Sequence, residues 1–100
     1  MDFQIVKNTS GISHIDFGNG RNTQGFYQLA KRLETILAIR YNKKTDNFNT
    51  LSWNYFYQGV PFILRYHWDS GILIQLESKS PTQDESHKMD DIAEVLKTFL

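Results

Sequence analysis

The sequence predicts an α+β fold: a five-stranded antiparallel sheet in the order β-β-α-β-β-β-α, with both helices packed on one face of the sheet. Two observations lead to this prediction. Aromatic segments with a period of two fill residues 50–78, and segments with helical apolar spacing lie before and after them. At 100 residues, 40% of them hydrophobic and 14% aromatic, the chain has the size and composition of a single α+β domain with one packed core.

The first predicted strands cover residues 3–7 and 13–17, where apolar and polar residues alternate. Residues 8–11 between them, Asn-Thr-Ser-Gly, favour a turn and therefore a hairpin. Asn22 or Thr23 can then cap a first helix that extends to about Ile39. Apolar residues at spacings of three and four form its buried face: Phe26, Leu29, Ala30, Leu33, Ile36 and Leu37.

Residues 42–50 are polar and rich in turn formers, so we expect a surface connection in which Phe48 is the one apolar residue. Three strands are predicted to follow, over residues 50–58, 60–68 and 72–78. A two-residue turn at 58–59 would pair Tyr57 with Val60. A three-residue turn at 69–71, with Gly71 at positive φ, would pair Trp68 with Ile72.

With this register, one sheet face is apolar or aromatic throughout and must be covered. That face consists of Leu51, Trp53, Tyr55, Tyr57, Val60, Phe62, Leu64, Tyr66, Trp68, Ile72, Ile74 and Leu76. The other face, called the open face below, is suited to water or to a partner. It consists of Ser52, Asn54, Phe56, Gln58, Pro61, Ile63, Arg65, His67, Leu73, Gln75 and Glu77.

A terminal helix is predicted to begin at residues 80–83, with Ser80 as the cap and Pro81 in the first helical position. Its apolar stripe consists of Met89, Ile92, Ala93, Leu96, Phe99 and Leu100. Asp84 and Glu85 lie in its first turn, where the helix dipole favours negative charge.

The formal net charge is zero, but the charges are unevenly placed along the chain. Residues 21–44 are predominantly basic, with Arg21, Lys31, Arg32, Arg40, Lys43 and Lys44 against Glu34. Residues 84–94 are predominantly acidic, with Asp84, Glu85, Asp90, Asp91 and Glu94 against Lys88. Two interpretations stay open: solvated helix faces, or a surface for a partner of complementary charge.

Several kinds of chemistry lack support in the sequence. With no cysteine, disulfides and thiolate chemistry are excluded, and the spacing of His14, His67 and His87 matches no metal motif. Ser70 lies in a predicted tight turn without the strand-to-helix elbow that hydrolases use. We therefore expect no enzyme activity, no metal and no cofactor. With no apolar run long enough to span a bilayer and no secretory signal, we expect a cytoplasmic protein that contacts no membrane.

Phe56, Ile63 and Leu73 form a small apolar centre on the open face, framed by Arg65 and His67 among other polar residues, a pattern typical of an interface. Nucleic-acid binding is a weaker alternative. It would use Lys31, Arg32, Arg40, Lys43 and Lys44, with Tyr41 or Phe48 as stacking surfaces, but the neutral net charge does not favour it.

The aromatic strands at residues 53–57 and 62–72, followed by an acidic terminal helix, resemble small bacterial immunity proteins of polymorphic or contact-dependent toxin systems. The resemblance implies a protein that neutralises a cognate toxin, commonly a nuclease domain, by direct contact. Two surfaces are candidates for that contact. One is the acidic helix, with Asp84, Glu85, Asp90, Asp91 and Glu94, and the other is the open face, with Phe56, Arg65 and His67. The alternative is a small cytosolic domain with a ligand pocket or weak enzyme activity. The oligomeric state is left open.

Overall fold

A computed structural model describes residues 2–18 and 22–100 of the chain, so Met1, Asn19, Gly20 and Arg21 lie outside the described residues. Two helices and six strands occupy these two ranges. In chain order they are β1 (Gln4–Lys7), β2 (Ser13–Asp16), α1 (Thr23–Ile36), β3 (Tyr41–Asp46), β4 (Thr50–Tyr57), β5 (Val60–His67), β6 (Gly71–Leu76) and α2 (Gln83–Phe99).

The six strands form one sheet in the spatial order β1-β2-β6-β5-β4-β3, and every neighbouring pair is antiparallel. The predicted α+β class and antiparallel sheet are confirmed. The predicted number of strands and their order are wrong, because the chain forms β3 between α1 and β4. This strand occupies much of the segment that we expected to be a surface connection.

Strand β3 lies at the edge of the sheet and carries no apolar alternation, which is why its sequence does not indicate a strand. Its residues on the helix side are held by polar contacts instead. The Tyr41 hydroxyl donates to the Ala30 carbonyl at 2.9 Å. Lys44 Nζ lies 4.3 Å from the ring centroid of Trp53, whose Nε1 donates to the Asp46 carboxylate at 3.0 Å. A lysine-bearing edge strand also resists pairing with other chains.

The predicted register of β4 and β5 is confirmed from Leu51 opposite Tyr66 to Tyr57 opposite Val60. Their two-residue turn places both Gln58 (φ +51°) and Gly59 (φ +82°) in the left-handed region, which matches the twist of a hairpin.

The predicted register of β5 and β6 is wrong. The three-residue loop covers residues 68–70, so His67 pairs with Gly71 and Tyr66 with Ile72. Gly71 does have the expected positive φ, of +85°. Because the turn lies one residue earlier on both strands, each pair still joins residues of the same face. The predicted separation of the two faces therefore survives the error.

Both helices cover the same sheet face and share one core with it. The largest fully buried side chains come from the sheet and from both helices: Tyr55, Phe26, Phe62, Ile15, Leu29, Leu33, Leu64, Ile72, Ile74, Met89, Ile92 and Leu96. Two residues assigned to buried faces by sequence are exposed. Trp68 lies in the β5–β6 loop and is 63% exposed, and Phe99, in the last turn of α2, is 59% exposed.

The predicted cap of α1 is confirmed, whereas the predicted end of α1 and the predicted cap of α2 are wrong. Asn22 caps α1, accepting from the Gly25 amide at 2.8 Å, but the helix ends at Ile36 rather than near Ile39. Helix α2 is capped by Thr82 instead of Ser80. The later start allows a capping box, in which the Thr82 hydroxyl accepts from the Glu85 amide and the Glu85 carboxylate accepts from the Thr82 amide.

One polar atom at the centre of the core has no partner in the described chain. The Tyr55 side chain is fully buried and stacks on Phe62 at 5.7 Å between ring centroids, and its hydroxyl makes no hydrogen bond. A buried hydroxyl without a partner costs ~1 to 3 kcal/mol of desolvation. The ring therefore stabilises the core while its hydroxyl opposes that stabilisation.

Replacing this hydroxyl by hydrogen should stabilise the protein. We expect Tyr55→Phe to raise the free energy of unfolding by about 1 kcal/mol in urea denaturation. The same chemical change at Tyr41, whose hydroxyl has an acceptor, should lower the free energy of unfolding by about 1 kcal/mol. Equal losses of stability in the two variants would show that the Tyr55 hydroxyl has an acceptor in solution.

Candidate functional site

The open face is uncovered by any helix of the described chain, since α1 and α2 both pack on the opposite side of the sheet. Phe56, on β4, is 57% exposed. Ile63 on β5, diagonal to Phe56 across the strand pair, is buried, while Leu73 on β6 is half-buried. The sheet therefore places the three expected apolar residues on one side, with Ile63 at their centre.

Arg65 is the group on the open face with unsatisfied hydrogen-bonding capacity. Its cross-strand neighbours are Ser52 and Leu73, and its Nε is buried without an acceptor among the described residues. The turn predicted at residues 69–71 would place Leu73 opposite His67, but the turn covers residues 68–70 and Leu73 pairs with Arg65. His67 instead lies opposite Thr50 and Gly71, and its Nδ1 accepts from the Asp69 amide at 3.3 Å.

The carboxylates on the same side of the sheet bond to groups other than Arg65. The Asp16 carboxylate accepts from the Gly18 amide at 2.7 Å, and the Glu77 carboxylate accepts from Asn54 Nδ2 at 3.3 Å. A half-buried guanidinium thus faces outward with no carboxylate partner in the described part of the chain. Arginine in this setting suits a carboxylate or carbonyl supplied by another molecule.

The acidic residues of α2 do not form one equivalent set. Glu85 belongs to the capping box, so its carboxylate has a structural role. Asp91 lies 3.8 Å from Lys88 Nζ and Glu94 lies 3.2 Å from Lys97 Nζ, both as exposed pairs that contribute little stability. Asp84 and Asp90 are exposed as well. Four carboxylates therefore remain on the outer surface of α2, two of them beside lysines.

The two candidate surfaces lie on opposite sides of the sheet. Helix α2 packs on β2 and β6 through Met89, Ile92, Ala93 and Leu96, so its acidic side faces away from the sheet. Phe56, Arg65 and His67 project from the other side. One flat contact with a partner cannot cover both surfaces, so the acidic helix and the open face are alternative candidates for the contact.

The basic segment is also divided. Lys31 and Arg32 lie on the exposed side of α1, whereas Lys43 pairs with Asn54 and so lies on the open-face side of β3. Arg40 and Lys44 line a polar pocket of about 570 Å³ between α1 and β3, together with Glu34, Thr35, Ile39 and Tyr41. These cations therefore do not form the continuous basic surface that nucleic-acid binding would use.

Tyr41, in the polar pocket, is a titratable group with a shifted pKa. Burial raises the pKa of its hydroxyl well above the usual value, and the Glu34 carboxylate raises it further. Because the hydroxyl stays protonated and donates to the Ala30 carbonyl, it is fitted to hold β3 against α1. Burial likewise raises the pKa of Tyr55, with smaller contributions from Tyr41 and Tyr57.

A second concavity is a groove between α1 and the carboxyl end of α2, with a volume of about 600 Å³. We call it the helix groove, and Gln28, Lys31, Arg32, Thr35, Ile36 and Phe99 line it. The Arg32 guanidinium donates to the Phe99 carbonyl at 3.0 Å, which joins the two helices at the groove.

Sequence reasoning missed one surface, which we call the aromatic tip: Phe48 and Trp68 on neighbouring loops at one end of the sheet. Phe48 is fully exposed, at 101%, and Trp68 is 63% exposed. The Trp68 amide donates to the Asn49 carbonyl at 3.2 Å, so the loops are in contact. The available signal was Phe48 itself, an aromatic residue inside a polar turn segment.

Within residues 2–18 and 22–100, no group of three or more potential ligands could hold a metal ion. No helix in the same ranges has the length and apolar character to span a membrane. Comparison of the chain with protein-family models, with curated proteins and with solved structures finds no match.

The two tyrosines with raised pKa values should make the protein sensitive to alkali. Unfolded tyrosine ionises near pH ~10, whereas Tyr41 and Tyr55 stay protonated in the folded state at higher pH. Above that pH the folded state binds more protons than the unfolded state. The free energy of unfolding should therefore fall as pH rises, by up to about 1.4 kcal/mol per pH unit for each tyrosine, and these groups should have no effect below pH ~10.

Urea denaturation of the wild type and of the Tyr41→Phe/Tyr55→Phe double variant at several alkaline pH values measures this effect. The double variant controls for lysines that titrate in the same range. An equally steep loss of stability in both proteins would mean that neither tyrosine is responsible.

Proposed function

We propose that this chain is a binding protein of the immunity type. It neutralises a cognate toxin domain, a nuclease, by direct protein–protein contact. The observation that carries the proposal is the open face, a sheet surface with an apolar centre and with an arginine that has no carboxylate partner among residues 2–18 and 22–100. Phe56 supplies exposed aromatic area and Arg65 supplies hydrogen-bond donors, and both residue types are frequent in the energetic centres of interfaces.

The open face is better suited to the contact than the acidic side of α2. Exposed carboxylates gain little from a single ion pair in water, and two of those on α2 already lie near lysines. The open face instead offers apolar area together with a guanidinium whose Nε is already removed from water. That Nε is out of a partner's reach, but a partner that supplies an acceptor to the terminal N–H groups of the half-buried Arg65 gains a charge-assisted hydrogen bond.

The acidic side of α2 could still attract a basic nuclease from a distance. Its effect on an approach to the open face is weak, because the sheet and the helix lie between the two surfaces and the Debye length is about 10 Å at 0.1 M salt. The salt dependence of association therefore separates the two candidate surfaces.

The first test is co-purification of the tagged protein with the products of adjacent open reading frames, followed by affinity measurement for any partner and an assay of its nuclease activity. We expect a stoichiometric complex in which nuclease activity is lost. Phe56→Ala and Arg65→Ala should each weaken binding at least tenfold, since both residues lie at the proposed contact.

The matched control neutralises exposed carboxylates on the other side of the sheet, with Asp90→Asn and Glu94→Gln. These changes should alter affinity by less than about threefold at physiological salt. A larger loss of affinity in the control variants than in Phe56→Ala would indicate that the partner contacts α2 instead of the open face. A chain that forms no complex with these products at any salt concentration would refute the immunity function.

Ligand binding in the polar pocket is a second candidate function, favoured by Arg40 and Lys44, which both line the pocket. Because Arg40 and Lys44 supply two positive charges and Glu34 one negative charge, the pocket suits a small anionic ligand. A thermal-shift titration with small carboxylates and phosphates should then raise Tm in the wild type and fail to do so in Arg40→Gln. An unchanged Tm with every ligand would count against a pocket for anions.

A further inference from the structure

The aromatic tip is shaped to enter a cavity. Phe48 and Asn49 form the two-residue loop of the β3–β4 hairpin, closed by a hydrogen bond from the Asn47 amide to the Thr50 carbonyl at 2.8 Å. Phe48 therefore lies at the apex of a hairpin, and its side chain contributes nothing to the hydrophobic core of the chain that carries it. Trp68 is stacked on His67, with 6.1 Å between ring centroids, which limits the motion of the indole ring.

The charged residues nearest the tip in sequence are acidic, and Lys44 lies further along β3, over the Trp53 ring. Asp46 lies two residues before Phe48 and Asp69 follows Trp68, and both are exposed. Asp46 is fixed in place because its carboxylate accepts from Trp53 Nε1. Carboxylates in these positions disfavour the phosphates of nucleic acids and of anionic lipids, and they favour a cavity with basic residues at its edge.

The helix groove of the same chain has these properties. Ile36 and the 59%-exposed Phe99 supply apolar walls, and Lys31 and Arg32 supply the positive charge at its edge. Glu34 lies on the other flank of α1, where it lines the polar pocket. A volume of about 600 Å³ accommodates an aromatic side chain.

We propose that the aromatic tip of one copy of this chain docks into the helix groove of a second copy. The apolar side chains of the tip match the apolar walls of the groove, and the acidic residues beside the tip match the basic residues at the groove's edge. The net charge of zero leaves no overall repulsion between copies. Since Phe48 is fully exposed in the single chain, the groove that receives it belongs to another molecule. Two reciprocal contacts form a closed dimer, whereas one-way contacts form a chain of molecules.

This self-association is independent of the immunity function, because it uses neither Phe56 nor Arg65. Phe56 and Arg65 remain free to bind another protein in such a dimer, whereas His67, which stacks on Trp68, lies beside the docked tip.

Analytical ultracentrifugation of the full chain, from low micromolar to near millimolar concentration, tests the inference. The wild type should associate as its concentration rises, and less strongly at high salt. Phe48→Ser should weaken association at least about tenfold, as expected for loss of a central interface aromatic. Phe56→Ser is the matched control, because it removes a similarly exposed phenylalanine from the open face, and it should leave association unchanged.

Mixing two variants distinguishes docking into the groove from nonspecific sticking of the tip. Ile36→Glu disables the groove and Phe48→Ser disables the tip, so each variant alone should sediment as a monomer. In their mixture, the intact tip of the Ile36→Glu variant can dock into the intact groove of the Phe48→Ser variant. The mixture should therefore form a heterodimer. Circular dichroism checks that both variants are folded.

Three results would overturn the inference: a wild type that stays monomeric at all concentrations, association that is insensitive to Phe48→Ser, or a mixture that does not associate. Binding of the wild type, but not of Phe48→Ser, to anionic phosphatidylglycerol vesicles or to single-stranded DNA would also overturn it, because the tip would then have a different occupant.

Discussion

The turn at Gln58 and Gly59 fixes which side chains of the central strands face the helices. Because side chains alternate along a strand, a slip of one residue in this hairpin would send Phe62 and Leu64 of β5 to the open face while Tyr55 of β4 stayed on the helix side. Gln58 adopts a positive φ that non-glycine residues seldom take, and its amide oxygen accepts from Lys88 Nζ at 2.8 Å. The strained turn is thus connected directly to α2, which covers the face that the turn defines.

The sheet divides the molecule into two surfaces with different chemistry. On one side, the helices bury the apolar residues and leave charge outside. On the other side, Ile63 is buried without a covering element, since polar and apolar neighbours close around it. This separation explains why residues that share a charge pattern in sequence do not share a location, and why contacts on the two sides can be made independently.

The central meander was predictable because its alternation is strong and its turn residues have specific geometry. The placement of Phe56, Arg65 and His67 on one face followed from that alternation alone. Strand β3 was not predictable in the same way, because Lys44 and Asp46 reach the core side through contacts with Trp53 that depend on the folded sheet. The aromatic tip was missed for a related reason, since contact between two loops is set by strand order, which the sequence pattern does not encode.

The position of β2 has a consequence for the order of folding. Strands β3 to β6 pair with their neighbours in sequence, whereas β2 joins β6 through Ile15 opposite Ile74, which lie far apart in the sequence. Local pairs form first because they close short loops, so the amino-terminal hairpin completes the sheet last. Two residue pairs join β2 to β6, and β1 lies at the edge of the sheet. Amide hydrogens of β1 and β2 should therefore exchange with solvent through local opening, at a lower free energy than those of β4 and β5.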